Sequence, residues 1–231
     1  MSRRCGYPLS MQLLAGALLE RPPGPKYSAA LRFAELAPRA PLPKPGTLAG
    51  WRRKLPDGFE LALRAPDPCW QAPGGPLRPS EELDAGLRWL SEAADALKAS
   101  MVVVATSAAV TTGARDRQRL RDYFARIPRT EGRFVAWKPT GLWEPEAVQA
   151  MARTLSVLGG IDAIDDPAPS VDVVYATLVA EGLRRSFSHA QLLDVYDKLQ
   201  GAGASRAYVT IESPQSFREA RLLQAVSEGR E

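Results

Sequence analysis

Histidine is almost absent from this chain, and cysteine is scarce. There is one histidine, His189, and there are two cysteines, Cys5 and Cys69, far apart in the sequence. One imidazole and two scattered thiols cannot assemble a multi-histidine or Cys-rich metal shell. His189 follows Ser188 at the start of a helical pattern, where an exposed first-turn residue is expected rather than the base of a catalytic triad. No glycine-rich phosphate loop follows any strand-like segment. No apolar run approaches the roughly 20 residues needed to span a bilayer. The sequence therefore predicts no zinc, haem, flavin or dinucleotide cofactor, no metal and no membrane contact. It predicts a cytoplasmic location with both thiols free. Cys5 is expected in the core of a first strand. Cys69 sits in a proline-rich loop with no base nearby to activate it.

What is present reads as a globular protein. Of 231 residues, 45% are hydrophobic and 24% charged, which excludes wholesale disorder. A chain of this length buries enough surface, roughly 70–75%, to need no staple. The net charge of +4 is mild, and arginine dominates the cations. It permits nucleic acid without arguing for it, since such domains concentrate basic residues on one face. Prolines cluster before residue 80, so PPGPK (22–26), PLPKP (41–45) and the 66–79 stretch are loops.

Between the loops, strand-like and helical segments alternate. Strands are predicted at Arg4–Pro8, Arg32–Leu36, Phe59–Arg64, Met101–Thr106, Arg133–Trp137, Ile161–Asp165, Val173–Val179 and Arg206–Ile211. Met101–Thr106, MVVVAT, is apolar throughout, as a strand buried on both faces should be. The apolar residues after Pro8 are read as a helix. Ser80, followed by Glu81 and Glu82, caps a helix with Leu83, Leu87, Leu90, Ala94 and Leu97 on one stripe. Ser188 with Gln191 forms a capping box. Ser213–Pro214 and Pro145 mark two further helix starts, the second for a helix over 145–158. Alternation of this kind implies an α/β fold with a parallel sheet. Eight units suggest closure into a single TIM-like barrel domain over residues 1–231, with an open doubly wound sheet as the alternative. The long 65–80 loop is expected to cover one end of that barrel.

Between Tyr27 and Pro66 stand Glu35 at a strand end, Pro41 and Pro43, Thr47-Leu48, Trp51-Arg52, Pro56, Phe59 and Arg64. In this order they resemble the YecE-like family (domain of unknown function seventy-two). VAWKPTGLW (135–143), AIDDP (163–167) and SFSHAQLLDVY (186–196) are similar to later segments of that family, in the same order. The resemblance runs from about residue 4 to 226 and implies a TIM-like barrel with no established reaction. Several family positions differ here. LAPRA follows Glu35 where an amide and aromatics are usual, and Arg64 stands in place of lysine. The strand-five segment reads Ala136-Trp137-Lys138, and Thr177 replaces an arginine ahead of a missing histidine.

Barrel sites lie at the C-terminal ends of the strands. The candidates there are Glu35, Arg64, Lys138, Trp143, Asp165, Asp166 and Glu181. Glu35 is the candidate catalytic group, as a base or as a partner for Arg64. Arg64 and Lys138 together suit a phosphate or carboxylate. Trp143 suits stacking. Asp165 and Asp166, adjacent on a strand, point opposite ways, so only one faces the axis. The leading expectation is a small anionic ligand at the C-terminal face, bound by a protein that is a weak or lapsed enzyme. One alternative is a nucleic-acid-binding or processing barrel that uses the arginines of ARDRQRLRDYFARIPR (114–129). There the competing expectation is a solvated outer helix with Leu120, Phe124 and Ile127 facing in. Another is a non-catalytic interaction module.

Overall fold

The computed structural model describes residues 11–182 and 185–229. The predicted strand at Arg4–Pro8, and Cys5 within it, lie outside those residues. The first strand described is β1 (Gln12–Leu19), in the segment expected to be helical. A continuous apolar run does not by itself distinguish a buried helix from a parallel strand. Gly16, mid-run, weakens the helix. It also permits the strand, because a Cβ there would lie 2.5 Å from the carbonyl oxygen of Phe33 on the neighbouring strand.

The remaining parallel strands are β2 (Phe33–Leu36), β3 (Glu60–Arg64), β6 (Met101–Thr106), β7 (Phe134–Pro139), β8 (Leu158–Gly159), β9 (Ile161–Asp162), β10 (Val173–Val179) and β11 (Arg206–Glu212). A small antiparallel pair, β4 (Gln71–Ala72) and β5 (Gly75–Pro76), stands apart. The main sheet has the order β8-β7-β6-β3-β2-β1-β11-β10-β9, and every pairing in it is parallel. Its two end strands are consecutive in the chain, joined by Gly160. Gly160 N donates to Trp137 O at 2.8 Å, and Ala163 N donates to Thr177 O at 2.8 Å. The segment 158–162 thus bonds β7 on one side and β10 on the other, and the ring closes. This is a TIM-like α/β barrel.

Among the described residues seven helices accompany it: α1 (Pro25–Ser28), α2 (Pro45–Arg52), α3 (Glu81–Leu97), α4 (Ala114–Phe124), α5 (Pro145–Leu155), α6 (His189–Gly201) and α7 (Ser216–Ser227). No helix among the described residues is long and apolar enough to cross a membrane. Ser80 caps α3 by accepting from Leu83 N at 3.1 Å, a contact worth about 1 kcal/mol. The Ser188–Gln191 capping box opens α6. Two expected helix bounds shift. α5 stops at Leu155 because Ser156 turns left-handed (φ 54°), freeing Leu158 for the sheet. α7 begins after Gln215, not at Pro214, because the Ser213 hydroxyl is bonded to Glu219 and accepts from Gln215 N.

Side chains alternate across each strand. Leu14, Phe33, Ala62, Met101, Val103, Ala136, Tyr175 and Tyr208 fill the barrel interior. Their sequence neighbours, such as Ala34, Leu63, Trp137 and Val209, pack outward under the helices. The 65–80 stretch is fastened to α3 and α4 on the flank of the barrel. Cys69 is buried, its carbonyl accepts from Tyr123 OH at 2.8 Å, and Gly86 of α3 lets the chain approach closely. A Cβ at Gly86 would fall 2.1 Å from Pro68 O.

Candidate functional site at the barrel mouth

Because Ala34 and Leu36 pack outward, Glu35 must point into the barrel, where it is fully buried. The same alternation sends Arg64, Lys138, Thr210 and Glu212 inward at the C-terminal ends of their strands. Three donors converge on Glu35. Arg64 Nε donates to Oε1 at 2.5 Å, while Tyr175 OH and Thr210 Oγ1 each donate to Oε2 at 2.7 Å. Arg64 also forks onto Glu212, with Nη2 2.6 Å from Oε1 and Nη1 3.3 Å from Oε2. Lys138 Nζ completes the cluster, 3.5 Å from Glu212 Oε1. Two formal cations and two formal anions therefore balance inside the mouth.

The electrostatics follow from burial and pairing. Burial alone would lower the Arg64 pKa, but the Glu35 and Glu212 carboxylates outweigh it and raise it. Burial works against ionised Glu212, yet Arg64 and then Lys138 hold its carboxyl below the usual range. Burial, reinforced by the Glu35 charge, drives the Tyr175 phenol well above its ordinary value.

Beside this cluster runs a groove of about 460 Å³, lined by Lys138, Thr140, Trp143, Asp165, Asp166 and Glu181 among others. The candidates from sequence thus divide. Glu35 and Arg64 belong to the buried cluster. Trp143, Asp165, Asp166 and Glu181 belong to the groove. Lys138 belongs to both. All three nitrogens of Arg64 are engaged by carboxylates, so in this arrangement it is a strut, and Lys138 is the cation nearer the groove.

Trp143 is nearly buried. Its Nε1 donates to Val110 O at 2.8 Å, and its ring meets Trp137 edge-on at 4.8 Å. The strand expected over Ile161–Asp165 ends at Asp162, so Asp165 and Asp166 lie in a turn and the strand argument about their directions does not apply. The reason is local. Asp162 Oδ1 accepts from Ile164 N and Asp165 N, and Asp166 Oδ2 accepts from Asp162 N. Lys198 of α6 then fastens the turn by donating to the carbonyls of Ala163, Ile164 and Asp166 at 2.7–3.0 Å. Asp165 and Glu181 are exposed at the groove. Among the described residues no group of His, Cys, Asp or Glu is placed to hold a metal ion.

The remaining expectations are also placed. His189 is exposed at the start of α6. Burial pushes the Cys69 thiol up to about 12, which leaves it unreactive. On α4, Leu120 and Phe124 are buried, as is Ile127 just beyond it. Three of its four arginines are occupied: Arg119 with Asp116, Arg121 with Gln118, and Arg117 with Thr112 O and the Trp143 ring. Arg126 pairs with Asp84 and Arg129 bonds the last carbonyls of α5. A cavity of about 820 Å³ opens at the opposite, N-terminal face, around Leu14, Arg32, Gly58 and Gln224. In this architecture that face carries stability rather than chemistry.

Comparison with solved structures matches this arrangement of strands. A protein of Enterococcus faecalis V583 described as a DUF72 family protein is 14% identical, covering 94% of this chain and 96% of its own, with a TM-score of 0.67. A DUF72 family protein of Thermotoga maritima MSB8 is also 14% identical, covering 87% and 85%, with a TM-score of 0.61. This chain has the barrel fold of the DUF72 family proteins. It is also similar to a xylose isomerase-like TIM barrel/4-hydroxyphenylpyruvate dioxygenase fusion protein. There the identity is 10% over 96% of this chain and 43% of that one, with a TM-score of 0.58. No family model and no curated protein matches the chain. A barrel fold is what these likenesses share with it, and a shared fold does not fix chemistry.

Sequence reasoning missed three members of the cluster: Glu212, Tyr175 and Thr210. The signal for Glu212 was available, because RAYVTIE ends on an acid just as RFAEL carries Glu35 near its end. In VVYATLV the apolar set Val174, Ala176 and Leu178 packs outward, and in RAYVTIE the set Ala207, Val209 and Ile211 does, which leaves the alternate positions facing in. Two-period bookkeeping would have put Tyr175 and Thr210 on the inner face.

Proposed function

We propose that the groove at the C-terminal face binds a small molecule carrying one phosphate or carboxylate group, with Lys138 as the residue that receives it. The observation carrying this reading is the double membership of Lys138. It lines the groove, and its one ion pair among the described residues, to Glu212, is long at 3.5 Å. Glu212 is meanwhile held by the shorter Arg64 fork, so Lys138 can turn to a ligand without leaving Glu212 unpaired. Asp165, Asp166 and Glu181 make the outer wall acidic, which favours a ligand whose body carries hydroxyl or ammonium groups beyond its anionic head. Glu35 and Arg64 act as positioning residues here, setting Glu212 and through it Lys138. The fold and the ordered motifs support a divergent member of the YecE-like family. Binding without turnover accommodates the family positions that differ.

The test is a thermal-shift screen of phosphorylated and carboxylated metabolites. A ligand at about 100 times its Kd stabilises by about 2.7 kcal/mol, which is roughly 5–10 °C for a chain of this size. At least one such compound should shift the wild type and not Lys138→Met. A shift that survives Lys138→Met contradicts the assignment.

The nucleic-acid reading that used α4 is not favoured, because five of the six arginines in 115–129 already have partners within the fold.

A further inference from the structure

The cations of this protein are unevenly placed. Residues 21–54 carry eight Lys or Arg and a single acid, and that acid is Glu35, buried inside the barrel. The remainder of the chain carries slightly more acid than base. Charge asymmetry of this size within one segment marks a surface for a polyanion.

The fold gathers the segment around the end of α2. On one side is a groove of about 580 Å³ with proline walls, the half-buried Trp51, and Arg21, Arg39 and Lys54. On the other side is a shallower groove of about 410 Å³ with Arg52, Arg53 and Lys98. Only two acids, Glu20 and Asp57, stand among these six cations. Glu20 is paired with Arg39. Arg21, Arg52, Arg53, Lys54 and Lys98 have no ion pair among the described residues, and Nη1 of Arg52 is buried with no hydrogen-bond partner among them. Here the contrast with α4 decides between two basic surfaces. Three of the four α4 arginines are bonded within the fold, whereas five of the six cations around α2 have no ion pair among the described residues and can meet phosphates.

We infer that the α2 flank binds single-stranded nucleic acid, with the cations of the two grooves on the phosphate backbone and Trp51 beside a base. A basic track next to an aromatic ring is the combination that single strands use, because every base has a face to stack. Duplex offers no splayed base to Trp51. The inference does not depend on the ligand proposed for the Lys138 groove, which opens elsewhere on the barrel.

The experiment is fluorescence anisotropy with a labelled single-stranded RNA and DNA of about twelve nucleotides, from about 50 to about 200 mM salt. Binding should weaken steeply with salt. Arg21→Ala/Arg39→Ala/Lys54→Ala should lower the log–log salt slope by about 2, at about 0.7 per phosphate contact. Trp51→Ala should weaken binding at least about fivefold, while Trp51→Phe, which keeps a ring, should retain most of it. Arg115→Ala/Arg121→Ala on α4 should change nothing. Melting curves of each variant confirm that it is folded. The inference is overturned by no binding at about 50 mM salt. It is equally overturned if the α4 variant loses binding and the α2 variants do not, or if poly-glutamate competes as well as RNA.

Discussion

Arg64 Nε lies 2.5 Å from Oε1 of Glu35, and the other end of the same guanidinium grips Glu212. One arginine therefore ties β3 to β2 beside it and to β11 across the mouth. Glu35 has no exposure, so its charge depends on Arg64 for compensation. Removing one partner of a buried pair costs about 3–5 kcal/mol, because the other charge is left in the interior. Arg64→Ala should accordingly lower Tm by about 6–20 °C. The double change Glu35→Leu/Arg64→Met should cost clearly less than Arg64→Ala alone. Calorimetry decides it, and equal losses in the two variants would contradict the strut role.

The acid limb of stability should report on Glu212. Its folded pKa lies below the ordinary glutamate value of about 4.3. The folded state thus holds this proton less tightly than the unfolded chain. The stabilisation is complete above the ordinary value and is lost as pH falls through the folded one. Urea midpoints measured downward from about pH 5 should fall for the wild type. In Glu212→Gln the fall should be shallower, and parallel slopes would contradict the pairing.

The alkaline limb belongs to the tyrosines. Burial raises the pKa of Tyr27, Tyr123, Tyr175 and Tyr208. These phenols stay neutral in the folded state, while the unfolded chain ionises them near pH 10. Their contribution is fully present below that value and declines as pH rises above it. Ultraviolet titration should show their tyrosinate signal appearing together with unfolding, not ahead of it.

Gly16 should tolerate no side chain. A methyl there meets the Phe33 carbonyl at 2.5 Å and its ring at 2.8 Å, inside a filled barrel. Overpacking of this kind costs about 1–3 kcal/mol or more. Gly16→Ala should therefore melt several degrees lower, whereas Gly24→Ala, with open space around it, should not.

Much of this barrel was legible in the sequence. MVVVAT and VVYATLV occupy the predicted strands to the residue, because β-branched runs bounded by loops leave little choice. QLLAGALL was misread, because a strand buried on both faces has no polar period to separate it from a helix. Glu35 and Arg64 were identifiable as strand-end charges, and their meeting follows from neighbouring parallel strands. Glu212 was legible as a strand-end acid, but its pairing with Arg64 was not, since that arises where β11 curves round to face β3. The turn at Asp162 was also hidden, because it depends on Lys198 arriving from α6.

The most direct measurement is amide chemical-shift mapping of the wild type with whichever anionic compound the thermal screen yields. The account predicts perturbations concentrated at Lys138, Thr140, Gly160, Asp162 and Val179, the backbone around the mouth groove. Perturbations centred instead on Leu14, Arg32, Gly58 and Gln224 would place the ligand in the cavity at the opposite face and contradict it.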